Sequence, residues 1–401
     1  MKKLGFMALI GVLTLALLAP GLSGAADKPE KIYVAAIGDF SGPYAPVVGS
    51  HKPGAEDAWK YINANMGGIQ GVSVEPLLRD TGGKVALGLS QYNELINMKP
   101  RPLFIDTSLT PLGEALRPRY NEDDILGIQA GAAVSIYPVG NSYAYYCLYP
   151  EGLAINIKWY KEHIWKEKRP LRVGLITWDT SYGRAIMVPE FYEYLKTIGV
   201  EMAGEPQVFG IRDVEVSTQL MKLRQAKADV LIANNTAGGA LAIQKGAKEM
   251  GWNIPQLNMG IEEGTLSLDP AIFNGCYAAR SIKSWHHTDD PAIKKLSAIM
   301  DEYGRGPRDK SYFYFIGWQN ALVQHKVLND VVQKHGWGGL STKNIKEALN
   351  SLKDYRPMDL TSITYSADRP IPRAVQQNEV VNGKLTPRSD WLEVPNMKPA
   401  K

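Results

Sequence analysis

The sequence predicts an α/β fold built on parallel sheets. Short apolar runs rich in β-formers recur at intervals along the chain, and stretches with helical spacing of apolar residues lie between them. Short continuous apolar strands that alternate with helices are typical of parallel sheets covered on both faces. Towards the C-terminus the pattern changes to antiparallel strands, so we expect a mixed second sheet.

The predicted strands alternate with helical stretches along the chain. The parallel ones are Ile32–Ile37, Val74–Leu78, Leu103–Ile105, Ile125–Ile128, Arg172–Trp178, Asp229–Ala233, Leu257–Ile261 and Cys276–Ile282. Ser362–Tyr365 and Glu379–Leu385 are predicted as antiparallel strands. The second of these contains Asn382-Gly383, a dipeptide that favours a two-residue hairpin turn.

Two helices have clear sequence signals. Ala55, Ala58 and Ile62 are spaced as the buried face of a helix. A second helix is predicted to start at Asp290, because an N-cap residue followed by Pro291 at the first helical position is a typical helix start.

Composition excludes several classes of protein. The chain has 401 residues, of which 45% are hydrophobic and 21% charged, and it contains two cysteines. Such a chain can bury more than one core, so it is not disordered, and two cysteines cannot build a disulfide scaffold. The formal net charge of +4 is too small to indicate nucleic acid or an anionic membrane surface as partner.

Residues 1–26 have the layout of a secretory signal peptide. Two lysines precede an almost wholly apolar run from Leu4 to Leu18, and small residues follow at 23–26. The alternative is a retained membrane anchor, but this run is short for a hydrocarbon core of about 30 Å. No cysteine precedes Cys147 to take a lipid. We therefore expect a periplasmic protein that is not embedded in a membrane after cleavage.

Two loop segments resemble each other. Ile37–Tyr44 and Ile176–Gly183 each consist of a strand end followed by a polar, glycine-containing loop that leads into a helix. In open α/β sheets, ligands bind at such loops because they lie at the carboxyl ends of the strands. The two segments are interpreted as the openings of two similar domains.

The order of several segments resembles the type I periplasmic binding proteins, in particular the branched-chain amino acid (Leu/Ile/Val)-binding branch that serves ABC transporters. The matching segments are Gly38–Tyr44, Gly54–Ala58, Ile62–Ile69, Asp179–Gly183, Gln244–Gly251 and Val380–Leu385. They span nearly the whole chain after residue 26.

The resemblance implies two Rossmann-like lobes joined by three hinge crossovers and closing on a small ligand. The first lobe would comprise 30–147 plus 278–355, and the second 148–277 plus 356–395. The ligand would lie between the lobes, on loops at strand ends.

In the first lobe, the resemblance implies a carboxylate-binding loop that contains Thr107, Ser108 and Thr110. Hydroxyls and N–H groups near a helix start suit an anion, although the same hydroxyls could simply cap that helix. Ser41 and Tyr44, in the loop after the first strand, are further ligand-binding candidates.

A second carboxylate-binding loop is implied at Gly131, Ala132 and Ala133. This sequence has alanine where the family often has serine or threonine, so only backbone N–H groups remain to hold a carboxylate. The departure argues against an α-amino acid as ligand.

In the second lobe, the resemblance implies contacts from Tyr182, Asn235 and a glutamate. Tyr182 offers a flat apolar face plus a hydroxyl, with ordinary packing as the alternative, and Asn235 makes this wall polar. Glu262 or Glu263 would pair with a ligand ammonium group, which is favourable only if both charges are well hydrogen-bonded. We expect Glu262 to face the cleft and its neighbour to face solvent.

By the same resemblance, Cys147 and Cys276 fall on strands near crossovers that run side by side. In an oxidising compartment they would form a disulfide if their Cα atoms lie within ~7 Å.

Catalytic and metal motifs are missing from the sequence. It has no nucleophile elbow, no His-Glu-x-x-His, no Gly-x-Gly-x-x-Gly and no phosphate-binding loop of the Walker type. His286 and His287 are metal-binding types, but no spacing fixes a coordination geometry. We predict no enzyme activity, no metal and no cofactor.

The predicted function is capture of a small polar ligand, an amino acid or a related amide or carboxylate, and its delivery to the permease subunits of an ABC importer. We expect a monomer that does not bind nucleic acid. Two alternatives stay open. One is a secreted ligand-sensing domain for a receptor, and the other is a periplasmic enzyme whose dispersed acid and base leave no local motif.

Overall fold

Two β-sheets follow one another along the chain, which is described here from a computed structural model. The structure describes residues 27–136 and 140–397. The predicted signal peptide at 1–26 lies outside these residues. The two sheets and the helices between their strands confirm the predicted α/β class.

The first sheet is wholly parallel. Its strands are β1 Ile32–Gly38, β2 Val74–Asp80, β3 Ile105–Thr107, β4 Gly127–Gln129 and β5 Ser142–Ala144. Their order in the sheet is β2-β1-β3-β4-β5. The strand order reverses between β1 and β3, and the crevice at such a switch point is where open sheets bind ligands.

The second sheet is mixed. Its strands are β6 Leu171–Trp178, β7 Val200–Met202, β8 Gln207–Phe209, β9 Val230–Ala233, β10 Gln256–Asn258, β11 Tyr277–Arg280, β12 Ala374–Val381 and β13 Lys384–Glu393. The order is β13-β12-β11-β10-β9-β6-β7. On the same edge of β6, β7 pairs with its start and β8 with its end. The pairs β11–β12 and β12–β13 are antiparallel.

Helices and single turns connect these strands. The helices are α1 Ala45–Val48, α2 His51–Asn65, α3 Val85–Ile96, α4 Thr110–Glu122, α5 Tyr149–His163, α6 Ser181–Arg184, α7 Pro189–Thr197, α8 Ser217–Gln225, α9 Ala237–Glu249, α10 Glu263–Leu266, α11 Pro291–Glu302, α12 Tyr312–His335 and α13 Thr342–Asn350. Turns of 3-10 helix lie at Val134–Ile136, Pro270–Phe273, Pro307–Asp309, Trp337–Gly339 and Pro357–Asp359.

The local sequence signals hold for the hairpin and for both helices. Asn382 and Gly383 join β12 to β13 with positive φ angles of 51° and 71°, as a two-residue hairpin turn of this type requires. The face of α2 that contains Ala58 and Ile62 is buried. Asp290 caps α11 by accepting hydrogen bonds from two backbone N–H groups of the first turn.

The strand predicted at Ser362–Tyr365 is wrong. Ile363 makes only an isolated bridge to Tyr355. The hydroxyl of Tyr365 instead donates to the carbonyl of Ala144 at 2.7 Å. This segment is part of a connection between the two sheets, and its alternating pattern reflects burial against the end of the first sheet.

The long helix α12 is at the centre of the part of the molecule that contains the first sheet. Its residues from Tyr312 to Gln324 are all buried, as expected for a helix that is covered all round. It packs along α2, and Asn320 and Gln324 donate to the buried carboxylate of Asp106 at 2.7 and 3.0 Å. Residues 312–335 therefore belong with the first sheet although they follow β11 of the second.

The chain passes between the two sheets three times, as predicted. It leaves the first sheet after β5, returns after β11 to form α11 to α13, and crosses again before β12. These crossings interleave the two halves in sequence, so the carboxyl ends of both sheets can face one cleft.

Candidate functional site

A cavity lies between the carboxyl edges of the two sheets. It offers about 70 Å³ to the centres of water-sized spheres. One water needs about 10–15 Å³ by this measure, so the cavity has room for several waters or for a small ligand. Its lining residues come from both sheets: Tyr44, Val47, Val48, Ser108, Leu109, Thr110, Pro111, Tyr146, Tyr149, Tyr182, Thr236, Met259, Gly260, Glu262, Ala279, Arg280, Tyr312 and Phe313.

The two walls of this cavity touch each other. The ring of Tyr149 lies edge-on to that of Tyr182, with centroids 5.0 Å apart. Helices α1 and α10 also meet, and a Cβ atom on Gly264 would lie 2.9 Å from the carbonyl oxygen of Pro46. The structure therefore shows a closed arrangement, in which the missing side chain of Gly264 allows α10 to approach α1.

The loop after β3 is part of the cavity wall and contains one hydroxyl without a hydrogen-bond partner among the described residues. Ser108 lines the cavity, and its buried Oγ has no hydrogen-bond partner among the described residues. Thr110 also lines it, but its hydroxyl lies 3.3 Å from the hydroxyl of Tyr149. Thr107 Oγ1 accepts from the backbone N–H of Leu109 and is not in the wall. Since α4 begins at Thr110, this part of the wall combines a hydroxyl with a helix start, which suits an anion.

Three other predicted positions of the first sheet do not reach the cavity. Gly131 and Ala132 are buried behind its wall, and the Ala132 carbonyl accepts from the N–H of Tyr149. Ala133 lines a separate open hollow. The predicted second carboxylate loop is thus absent from the cavity wall, because the start of α5 packs over it.

The Ser41 side chain is also outside the cavity. It is exposed, and its hydroxyl donates to the carboxylate of Asp80 at the end of β2. Tyr44, three residues on, does line the cavity, with its ring 6.2 Å from that of Trp178.

Aromatic side chains form most of the cavity wall. Besides the predicted Tyr44 and Tyr182, the wall includes Tyr146, Tyr149 and Tyr312. Burial raises the pKa of the Tyr182 and Tyr146 hydroxyls far above the ordinary value, so they are neutral donors. The wall therefore presents flat apolar faces with hydroxyls at their edges, which suits a ligand with an apolar body and polar ends.

Glu262 is in the cavity wall, as predicted. It caps α10, accepting from the N–H groups of Gly264 at 2.8 Å and Thr265 at 2.6 Å. Burial, and then the charge of Glu263, raise the pKa of Glu262 to about 7. At neutral pH this carboxyl is therefore a mixture of its charged and neutral forms.

The expectation that Glu263 faces solvent is wrong. Its carboxylate is buried and pairs with Arg280 at 3.2 Å. It also accepts from the Ser284 hydroxyl at 2.6 Å and from the Trp285 N–H at 3.0 Å. Burial tends to raise the pKa of Glu263, but Arg280 and Ser284 outweigh it and leave the pKa below its ordinary value.

Arg280 is the charged cavity residue that sequence reasoning missed. It ends β11, its side chain is 2% exposed, and it lines the cavity. The ring centroid of Tyr312 lies 4.2 Å from its guanidinium carbon. The signal that could have found it is an arginine at the end of a strand whose carboxyl end was expected at the cleft.

The Asn235 side chain does not line the cavity. Its Oδ1 accepts from Nδ2 of Asn258 at 2.9 Å, and the residue is fully buried behind the loop. Thr236, the next residue, takes the place in the wall.

The predicted disulfide is wrong, since both cysteines are free and buried. Cys147 accepts a hydrogen bond from Ser281, just beyond the end of β11. Cys276 lies just before the start of the same strand and accepts a hydrogen bond from the backbone N–H of Gln256. A strand rises about 3.3 Å per residue, so the four residues of β11 hold the sulfurs at opposite ends.

The two histidines singled out in the sequence have structural partners. His286 Nδ1 accepts from the N–H of Leu385, and His287 bonds the side chain of Asn378. Within residues 27–136 and 140–397, no cluster of side chains suits a metal ion. No helix in that part of the chain is long and apolar enough to cross a membrane.

Comparison with known proteins gives one family match. The family model described as "Periplasmic binding protein" matches residues 31–384. A search of curated proteins finds no match.

Solved structures share the fold at low sequence identity. A branched-chain amino acid ABC transporter protein from Thermus thermophilus with bound valine has a TM-score of 0.80 at 18% identity, over 90% of this chain and 96% of that one. A fatty acid ABC transporter substrate-binding protein from Thermomonospora curvata has a TM-score of 0.77 at 19% identity, over 94% and 96%. A solute-binding protein from R. palustris in complex with 4-hydroxybenzoate has a TM-score of 0.73 at 19% identity, over 92% and 98%.

Proposed function

This chain belongs to the periplasmic binding protein family, and we propose that it is an extracytoplasmic solute-binding protein for an ABC importer. The observation that carries the proposal is the closed cavity between the two sheets, whose wall includes Ser108, a residue with a buried hydroxyl that has no protein partner among the described residues. A buried donor without a partner costs free energy, so a bound ligand group that accepts from it would stabilise the closed form.

We propose a small carboxylate, or a related amide, as the ligand. The hydroxyl of Ser108 and the start of α4 supply donors for an anion, and the tyrosine faces suit an apolar body. The ligands named for the three similar structures, valine, a fatty acid and 4-hydroxybenzoate, all carry a carboxylate. The limited space favours small members of this class over long chains.

The lobes of the proposed clamshell follow the predicted division, 30–147 plus 278–355 and 148–277 plus 356–395. One boundary needs adjustment, because β11 runs to Arg280 within the second sheet. Ligand contacts that exist only in the closed form would drive closure of the two lobes.

The proposed protein binds without chemistry, acts as a monomer in the periplasm, and is recognised by permease subunits in its closed form. A hydrolytic or oxidising enzyme would need an activated nucleophile or a cofactor site, for which the sequence offers no motif. Turnover of a bound ligand would contradict this part of the proposal.

Calorimetry with a panel of small ligands tests the function. The panel is valine, butyrate, benzoate, succinate and propionamide. We expect saturable one-to-one binding of at least one carboxylate, with stabilisation of about 2.7 kcal/mol at a ligand concentration of 100 Kd. Binding by none of these ligands would overturn the proposed ligand class.

A matched pair of serine variants tests the position of the site. Ser108→Ala should weaken the carboxylate about 10- to 100-fold, the usual range for a hydrogen bond to a charged group. Ser41→Ala removes a hydroxyl that bonds Asp80 outside the cavity, so it should leave the affinity unchanged. Equal effects of the two variants would place the ligand elsewhere.

A further inference from the structure

Arg280 is a buried cation on the second-sheet side of the cavity, and it has an unused donor. A guanidinium carries five N–H groups. One group on Nη1 donates to the carbonyl of Ile261 at 3.1 Å, and one on Nη2 donates to Glu263 at 3.2 Å. The Nε–H has no acceptor among the described residues.

An unpartnered Nε does not by itself identify a binding site. Arg369, in the connection before β12, shares this feature. The difference is that Arg280 lines the cavity while Arg369 does not. The unused donor of Arg280 therefore belongs to a residue that a ligand can contact.

The carboxyl groups nearest to Arg280 already accept hydrogen bonds from the protein. Its Glu263 partner already accepts from Ser284 and Trp285. The Glu262 carboxyl accepts two backbone N–H groups, and one face of the guanidinium is covered by Tyr312. The free guanidinium donor therefore favours a ligand group that accepts hydrogen bonds at this end of the cavity.

We propose that Arg280 selects the ligand by binding a carboxylate, so that the ligand class is small carboxylates with a second oxygen-bearing group that reaches Ser108. The planar fork of a guanidinium matches the two oxygens of a carboxylate. Dicarboxylates and hydroxycarboxylates fit this description, whereas an α-amino acid whose ammonium points to the second sheet does not. The inference rests on the proposed function, since it assumes that a ligand occupies this cavity.

Two variants with the same loss of negative charge test the role of Arg280. Glu263→Gln keeps the guanidinium and removes its protein partner. The double variant Glu263→Gln with Arg280→Gln removes the guanidinium as well, without leaving a buried unpaired charge. Thermal unfolding of each variant confirms that both are folded before binding is measured.

Calorimetry with succinate, 4-hydroxybenzoate and valine gives the readout. We expect wild-type protein to bind succinate or 4-hydroxybenzoate more tightly than valine. Glu263→Gln should bind the same carboxylate at least as tightly as wild type, whereas the double variant should bind it about 30-fold more weakly, the effect of losing one or two charge-assisted hydrogen bonds.

The other outcomes separate the two proposals. Equal affinity of Glu263→Gln and the double variant would make Arg280 a purely structural partner and overturn the inference, while the proposed function stands. Preference of wild-type protein for valine would do the same. Binding of none of the three probes, or of any other carboxylate in the panel, would overturn the proposed ligand class and this inference together.

Discussion

Two buried arginine–glutamate pairs lie in different regions of this molecule and are built differently. The first pair lies at the crossovers between the two sheets, here called the hinge region, where α5 starts and the chain returns before β12. There Arg369 and Glu151 form a bidentate pair, with Nη1–Oε1 and Nη2–Oε2 distances of 3.0 and 2.7 Å. Beside the cavity, Arg280 and Glu263 share a single contact of 3.2 Å. Both pairs are almost completely shielded from solvent.

The hinge pair makes further hydrogen bonds to neighbouring segments. Glu151 also accepts from the backbone N–H groups of Leu148 and Met397, and Arg369 donates to the side chain of Asn396. These contacts join the start of α5, the last crossover and the C-terminal segment. Arg369 makes three hydrogen bonds, whereas Arg280 makes two and lines the cavity. The hinge pair therefore joins distant segments of the chain, and the cavity pair is the one that we propose receives a ligand.

Breaking the hinge pair should have the largest effect on stability. Arg369→Gln leaves the Glu151 carboxylate buried without its charge partner, a change that typically costs about 3–5 kcal/mol. Urea unfolding measures it. Arg388→Gln removes the partly exposed pair with Glu379 and should cost less than about 1 kcal/mol. A loss below that size for Arg369→Gln would contradict the assigned role of the hinge pair.

The buried carboxyl of Glu262, beside the cavity pair, should make the free energy of unfolding depend on pH. The pKa of Glu262 rises from 4.5 to about 7 because the group is buried and lies beside Glu263, although Arg280 opposes the shift. The folded protein therefore binds more protons than the unfolded chain between these values. The free energy of unfolding should fall as pH rises from 4.5 to 7, by about 3 kcal/mol from this group.

Glu262→Gln isolates this contribution. Asp106, whose pKa burial also raises to about 7, titrates with the same sign in wild type and variant, so it cancels in the difference. Urea unfolding at several pH values should show a shallower slope in the variant. Parallel curves would mean that Glu262 stays ionised in the folded protein.

The ring of Tyr312 covers the cavity arginine, and among the described residues no ring lies over Arg369. Tyr312→Phe keeps a ring, and Tyr312→Leu removes it. The leucine variant should be less stable than the phenylalanine variant by about 1–2 kcal/mol, the size of a cation–π contact out of water. Equal stabilities in urea would show that the guanidinium does not depend on this ring.

The sequence predicted the parts of the fold that depend on neighbouring residues. The parallel strand runs, the cap at Asp290 and the turn at Asn382 are local patterns, and all three were found. Ser108, Tyr182 and Glu262 lie in the cavity wall because each follows a strand whose carboxyl end faces the cleft. The strand predicted at Ser362–Tyr365 failed because its apolar residues are buried against the first sheet rather than paired in the second.

The rest of the site depends on contacts between distant segments. Tyr146 and Tyr149 lie in a crossover, and Tyr312 begins a helix far along the chain. Their spacing in the sequence therefore does not predict that they share one wall of the cavity. Glu263 is separated from Arg280 by α10, a 3-10 turn and β11, and nothing in the adjacent glutamates shows which one pairs with the arginine. The burial of Asn235 depends on Asn258, in the next strand of the sheet.

The two cysteines give the smallest expected effect on stability, and one lies near each of the two arginine–glutamate pairs. Cys147 lies near Glu151 of the hinge, and Cys276 directly precedes β11, the strand that Arg280 ends. Burial raises the pKa of both thiols to about 12, and the reactive form is the thiolate. A thiol reagent should therefore find no accessible thiol in the folded protein and two after denaturation without reductant, and reductant should leave the unfolding temperature unchanged. Fewer than two thiols after denaturation would restore the disulfide, and rapid reaction of Cys147 alone in the folded protein would show that the hinge pair opens.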